Sequence, residues 1–145
     1  MKNSFSIENR LETFKNITKI LAGKLDDNTI NNIKEKLLNF SMGSYSGTAY
    51  LDSTIFYTTL ELSLDIEKKF KGGAWGFESL GKSSFDGYIL ADIDTLIEEG
   101  NNYIIGDTAG GVSITFLNSS YLPVGYFEGI GKPMIGVGKG SGHWS

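Results

Sequence analysis

The residues able to carry chemistry are few. The chain holds one histidine, His143, and no cysteine. A Cys–His pair is therefore impossible, and a Ser–His–Asp arrangement would have to use His143. That residue sits in Gly-Ser-Gly-His-Trp at the very end of the chain, where a surface or strand-end role is expected. Histidine-rich metal sites are excluded by the same composition. Among the carboxylates, Asp92 with Asp94, or Asp107, are the local candidates for a hard cation. They lack the Asp-x-Asp-x-Asp-Gly pattern, and capping and turn roles account for them. Glu78 with Asp86 or Glu128 could face each other across strands as a glycosidase-like carboxylate pair. Against this, Glu61, Asp65, Asp86 and Glu128 fall at positions expected to face water. The alternating glycines near the end superficially resemble a phosphate loop, but such loops open a helix and none follows. No catalytic set, no metal site and no cofactor site is expected.

Composition narrows the partners. Residues 1–40 carry seven Lys/Arg against five Asp/Glu, while residues 41–145 carry six against twelve, which together give the net charge of −4. An acidic body disfavours nucleic acid, which rewards phosphate-neutralising cations. No apolar run approaches the ~20 residues of a membrane helix. The opening MKNSFSIENRLETF lacks the apolar stretch of a conventional secretory signal. Aromatic side chains are the other signal: Tyr45, Tyr50, Tyr57, Trp75, Tyr88, Tyr103, Tyr121, Tyr126 and Trp144 are spread along the strands and turns. Such rings suit interfaces, headgroups and sugar faces, and also suit strands by propensity alone.

The elements that must position these residues fall into two vocabularies. Residues 5–23 predict an amphipathic helix, with Ile7, Leu11, Phe14, Ile17 and Leu21 on one stripe, Ser6 as N-cap and Gly23 as C′ residue. A second helix is expected from about Asn28 to Phe40, capped by Asp27 or Thr29, with Ile30, Ile33, Leu37 and Phe40 inward. After Met42 the pattern turns to period two. Strands are expected at Ser44–Asp52, Phe56–Ile66, Phe70–Ser79 and Ser83–Ala91. A short helix follows at Asp92–Gly100, with Asp92 as cap. Four more strands are expected at Asn102–Thr108, Gly111–Asn118, Leu122–Gly131 and Pro133–His143.

The last strand is distinctive because Gly136, Gly138, Gly140 and Gly142 alternate with Val137, Lys139, Ser141 and His143. One face of it is bare backbone, as expected where another strand or a bulky ring such as Trp75 or Trp144 presses close. Gly125, Gly129 and Gly131 repeat the pattern around Phe127. A linker would not be interleaved with Ile, Val and Trp. The expectation is a mainly β chain: a closed eight-stranded antiparallel barrel over residues 44–145, with one short helix between strands 4 and 5, preceded by a helical segment over residues 1–43.

From Gly72 onward the sequence resembles the virulence-associated protein (Vap) family of secreted bacterial proteins. The resemblance is carried by Gly72-Gly73, Trp75-Gly76, Ala91-Asp-Ile-Asp-Thr-Leu96, Ser113-Ile-Thr-Phe-Leu-Asn-Ser-Ser120 and the ending Gly136-Val-Gly-Lys-Gly-Ser-Gly-His-Trp144. It implies a compact, filled, eight-stranded barrel without an enzymatic site. It also implies a secreted effector that acts on host membranes or acidic lipid. Without a signal in this chain, the expectation is a cytoplasmic protein before any non-classical export. The expected function is a non-enzymatic interaction module working through its barrel surface, with an anionic lipid or a protein as partner. The alternative is a ligand-binding barrel of avidin or lipocalin type.

Overall fold

The computed structural model describes residues 7–21, 23, 25–38, 43–55, 57–77, 81–132 and 136–145. Period-two alternation dominates from residue 44 on, and the chain accordingly forms α1 (Ile7–Ile20), α2 (Asp27–Leu38), β1 (Ser44–Ser53), β2 (Thr58–Leu64), β3 (Lys68–Phe77), β4 (Gly81–Ala91), α3 (Ile93–Glu99), β5 (Asn102–Thr108), β6 (Gly111–Leu117), β7 (Pro123–Ile130) and β8 (Gly136–Trp144). The strands close into an antiparallel barrel in the order β1-β2-β3-β8-β5-β6-β7-β4, with β4 returning to β1. The expected closed barrel, its short helix between β4 and β5, and two preceding helices are all present.

The inner face is packed. Leu60, Leu62 and Leu64 of β2 lie with Phe85, Ile89, Ile105, Ile114 and Phe127 in one buried cluster. At one end the Phe70 ring meets Phe116 at 5.0 Å, Trp144 at 5.3 Å and Tyr103 at 5.5 Å between centroids. The α3 helix covers this end: Leu96 joins the interior cluster, and the Trp144 indole donates to the Gly100 carbonyl at 3.1 Å. These contacts fill the volume that a lipocalin would keep for its ligand.

The bare glycine face is what lets β8 approach β3. A Cβ on Gly140 would overlap the carbonyl oxygen of Gly73, and one on Gly142 would overlap that of Lys71. At Gly138 the fit is less severe, with the Trp75 carbonyl 3.2 Å from the Cβ position. The pressing group is therefore the β3 backbone. Of the expected alternatives, another strand or a ring such as Trp75 or Trp144, the strand is the one found; the Trp75 side chain points outward and is 62% exposed.

Several boundaries shift. β2 spans Thr58–Leu64 because Asp65–Glu67 form the turn, with Glu67 in the left-handed region at φ 60. The α2 cap is Asp26, whose carboxylate accepts the Thr29 N–H at 2.8 Å, and not Asp27 or Thr29. Asp92 stands at the N-cap of α3 but makes no side-chain cap bond; it accepts the Thr95 hydroxyl at 2.8 Å. The expectations for Ser6, Phe40, Phe56, Ser79 and Pro133–Ile135 lie outside the described residues.

Both N-terminal helices pack on the outer wall of the barrel. Ile17, Leu21, Ile33 and Leu37 form a second cluster with Leu90, Ile104, Leu117 and Tyr126, and β6 is buried at every position as a result. The α1 stripe is rotated from its expected setting. Ile7 is 64% and Leu11 39% exposed, whereas Arg10, Thr13 and Asn16 are buried. The reason is the wall beneath: Ser113, Thr115, Tyr126 and Glu128 are polar, and the helix turns its polar edge toward them.

Overpacking costs about 1–3 kcal/mol per site, and backbone cannot yield as a side-chain tip can. Gly140→Ala should lower the thermal midpoint more than Gly138→Ala. Lys139→Ala, on the outer face, should change stability by less than about 1 kcal/mol. Thermal denaturation of the three variants checks the order.

Candidate functional site

Two features of the outer wall concentrate unusual residues. The first is the seam between α1 and the strands β6 and β7. Ser113 pairs with Glu128 and Thr115 with Tyr126 across these strands, so all four side chains share the outer face. The Thr13 hydroxyl lies 2.7 Å from that of Ser113 and 3.2 Å from that of Tyr126. Asn9 donates its amide N–H to Glu128 Oε1 at 3.2 Å, and the Tyr126 hydroxyl donates to Oε2. Arg10 lies with its guanidinium 5.9 Å from the centre of the Tyr126 ring and donates to the Leu37 and Leu38 carbonyls at 3.2 Å.

Glu128 was expected to face water. It does point outward from the sheet, but α1 covers it and leaves it 4% exposed. Burial raises its pKa to about 7, against the opposing pull of the Tyr126 and Asn9 hydrogen bonds and the Arg10 charge. Burial, then the charge of Glu128, pushes the Tyr126 phenol well above its ordinary value.

The second feature is an open groove of about 650 Å³ on the outer face of β3 and β8, lined by Tyr57, Trp75, Tyr121, Lys139, Asn102 and Ile20 among others. Trp75 stands directly across from Lys139, Gly73 from Ser141 and Lys71 from His143. The outer face of these two strands thus carries aromatic and basic residues in adjoining rows. Tyr57 meets Trp75 edge-on, with centroids 4.8 Å apart, and its hydroxyl takes the space a Cβ on Gly73 would need. Tyr121 is held at φ 64, uncommon for a bulky side chain. Asn118 fixes that turn by accepting the N–H groups of Ser120 at 2.9 Å and Leu122 at 3.0 Å. The Lys139 ammonium sits 5.5 Å from the Tyr121 ring centre.

The carboxylates singled out from the sequence do not converge. Asp86 shares the outer face with Glu128 on the neighbouring strand, but it is exposed and accepts the Thr48 hydroxyl at 2.7 Å. Asp65 accepts from Ser46 at 2.5 Å, and Glu61 pairs with Lys69 at 3.3 Å. Asp92 and Asp94 stand exposed at the start of α3, Asp107 is half-buried on β5, and His143 is exposed on β8. Glu78 lies outside the described residues. Among the described residues no group of three or more His, Asp or Glu side chains is placed to hold a metal. The seam went unread in the sequence, although Asn9, Thr13 and Asn16 follow one another at helical spacing as a polar stripe.

The comparisons with known proteins agree with one another. A family model described as Rhodococcus equi virulence-associated protein matches residues 2–145. Two solved structures from the intracellular pathogen Rhodococcus equi are similar to the chain. The virulence-associated protein VapB has a TM-score of 0.67 and 23% identity, covering 71% of this chain and 96% of its own. The virulence-associated protein VapD has a TM-score of 0.61 and 19% identity, covering 71% and 97%. No curated protein sequence matches.

Removing the phenol oxygen of Tyr126 takes a donor from Glu128 and a partner from Thr13 inside the seam. Tyr126→Phe should cost about 1–3 kcal/mol of unfolding free energy. Thr48→Ala, which removes only the exposed bond to Asp86, should stay within about 0.5 kcal/mol. Urea denaturation at one pH measures both.

Proposed function

We propose, on the premise that this chain belongs to the Rhodococcus equi virulence-associated protein family, that it is a secreted, non-enzymatic effector acting through the open outer wall of its barrel. The surface that engages the partner is the β3–β8 face, and the partner is an anionic lipid surface. The observation that carries this reading is the cross-strand pairing of exposed Trp75 with Lys139, flanked by Lys71 and His143 on the same face. Indole and phenol rings favour the headgroup region, where one edge is apolar and the other wet. Lysines beside them are each worth about 1 kcal/mol against an anionic surface. The protein as a whole is acidic, at −4, so this local basic row is a departure from its surroundings. A ligand held inside the barrel, as in avidin or lipocalins, has Phe70, Phe116, Phe127 and Trp144 in its way.

Flotation with vesicles of anionic or neutral lipid, at pH 5 and pH 7, tests the assignment. The chain should rise with anionic vesicles at low salt and stay behind with neutral ones. Trp75→Ala and Lys139→Ala should each reduce recovery several-fold. Equal recovery with neutral vesicles would overturn the anionic assignment, and none with anionic ones at either pH would remove the lipid and leave a protein as partner.

A further inference from the structure

The open wall of β4, β1, β2 and β3 carries another groove, whose lining includes neither Trp75 nor Lys139. It holds about 730 Å³ and is bordered by Tyr50, Asp52, Glu61, Lys71, Lys82 and Ser84. Strand register sets these side chains in two rows on the outer face. One row runs Ser84, Tyr50, Glu61, Lys71 from β4 to β3, and the next runs Lys82, Asp52, Thr59. Leu51 and Leu60, which alternate with them, have their side chains buried in the interior. The floor of the groove is therefore strand backbone, and its polar side chains stand around it.

These groups are largely not spent on one another. Asp52 and Lys82 stand directly opposite across β1 and β4, yet they form no ion pair. Glu61 pairs with Lys69 at 3.3 Å, while Lys71, its direct cross-strand neighbour, makes no ion pair among the described residues. Tyr50 is 50% exposed, and among the described residues its side chain makes no ring contact and no hydrogen bond. Elsewhere on the same wall the polar side chains are engaged, Ser46 with Asp65 and Thr48 with Asp86. The contrast marks the Tyr50 groove as the part of this wall with bonding capacity left over.

The mixture of signs selects the ligand. An anion would meet Asp52 and Glu61, and a cation would meet Lys71 and Lys82. A hydroxyl group both donates and accepts, so a polyol satisfies acceptor-only carboxylates and donor-only ammonium groups alike. A sugar ring also has an apolar face of C–H groups, which suits the exposed phenol ring of Tyr50. A peptide strand would instead seek an open sheet edge, and the closed barrel has none. We propose that this groove binds a neutral saccharide. Tyr50 is the stacking platform, Asp52 and Glu61 accept from sugar hydroxyls, and Lys71, Lys82 and Ser84 donate to them. The groove is open along the wall, which fits a chain of sugar units better than one enclosed ring. The site does not depend on the anionic-lipid reading, although Lys71 borders both surfaces.

Titration of the full chain with neutral gluco-, manno-, galacto- and chito-oligosaccharides, followed by backbone amide shifts, tests the assignment. At least one probe should give saturable shifts centred on Tyr50, Asp52, Thr59 and Ser84, with Trp75 and Lys139 unmoved. Tyr50→Ala, at a half-exposed position, should leave the fold intact and weaken binding roughly tenfold. Asp52→Ala should weaken it several-fold, and Trp75→Ala should leave it unchanged. Absence of a saturable shift with every probe, or shifts undiminished in Tyr50→Ala, would overturn the proposal. So would a stronger response to a sulfated oligosaccharide of the same backbone, which would make the site an anion site. The probes carry no lipid, so the two readings fail separately. Sugar binding without flotation removes the lipid alone, and flotation without sugar binding removes the saccharide alone.

Discussion

The approach of β8 to β3 is the constraint from which the rest follows. Strands at this point come so close that any Cβ on Gly140 or Gly142 would run into a carbonyl of β3. Bare backbone on the inner face of β8 frees the space that Phe70, Tyr103, Phe116 and Trp144 then occupy as a packed aromatic group. With α3 covering the same end, the barrel interior is core. The partner surface proposed above is accordingly an outer one.

That outside is divided unequally. The wall of β5, β6 and β7 lies under the two N-terminal helices, which bury its outward side chains Ile104, Ser113, Thr115, Leu117, Tyr126 and Glu128. The wall of β1, β2 and β3 stays in water, where Ser46 with Asp65 and Thr48 with Asp86 form exposed hydrogen bonds across strands. The covered wall could have been wholly apolar. It is instead apolar toward Leu90, Ile104 and Leu117 and polar toward Ser113, Tyr126 and Glu128, so the helix is fixed in rotation as well as position. The seam is satisfied only in part: Asn16 Nδ2 and Thr115 Oγ1 are buried without a hydrogen-bond partner, and each such group costs about 1–3 kcal/mol. The edge between covered and open walls is where Ile20, Tyr121, Lys139 and Trp75 meet.

Local pattern carried the barrel but not what lies upon it. Alternation such as Leu60, Leu62, Leu64 against Thr59, Glu61, Ser63 depends on nearest neighbours, and it named the strands and their inner faces. Ile17, Leu21, Ile33 and Leu37 were legible as helix faces for the same reason. The rotation of α1 was not, because hydrophobic periodicity assumes an apolar partner and here the partner surface is polar. Glu128 was misread on the same ground: it does alternate outward, but burial was decided by a helix far earlier in the chain, whose Asn9, 119 positions away, reaches it. The aromatic row was visible as composition. Its pairing into Trp75 with Lys139 depends on the β3–β8 register, which no short window of sequence specifies.

The central claim is a filled barrel that meets its partner with one wall. Backbone amide shifts recorded with and without anionic lipid nanodiscs test it most directly. The account predicts perturbations centred on Tyr57, Gly73, Trp75 and Lys139, with Ile114, Phe116 and Phe127 of the interior unchanged. Shifts centred on those interior residues, with the Trp75 wall unmoved, would contradict it.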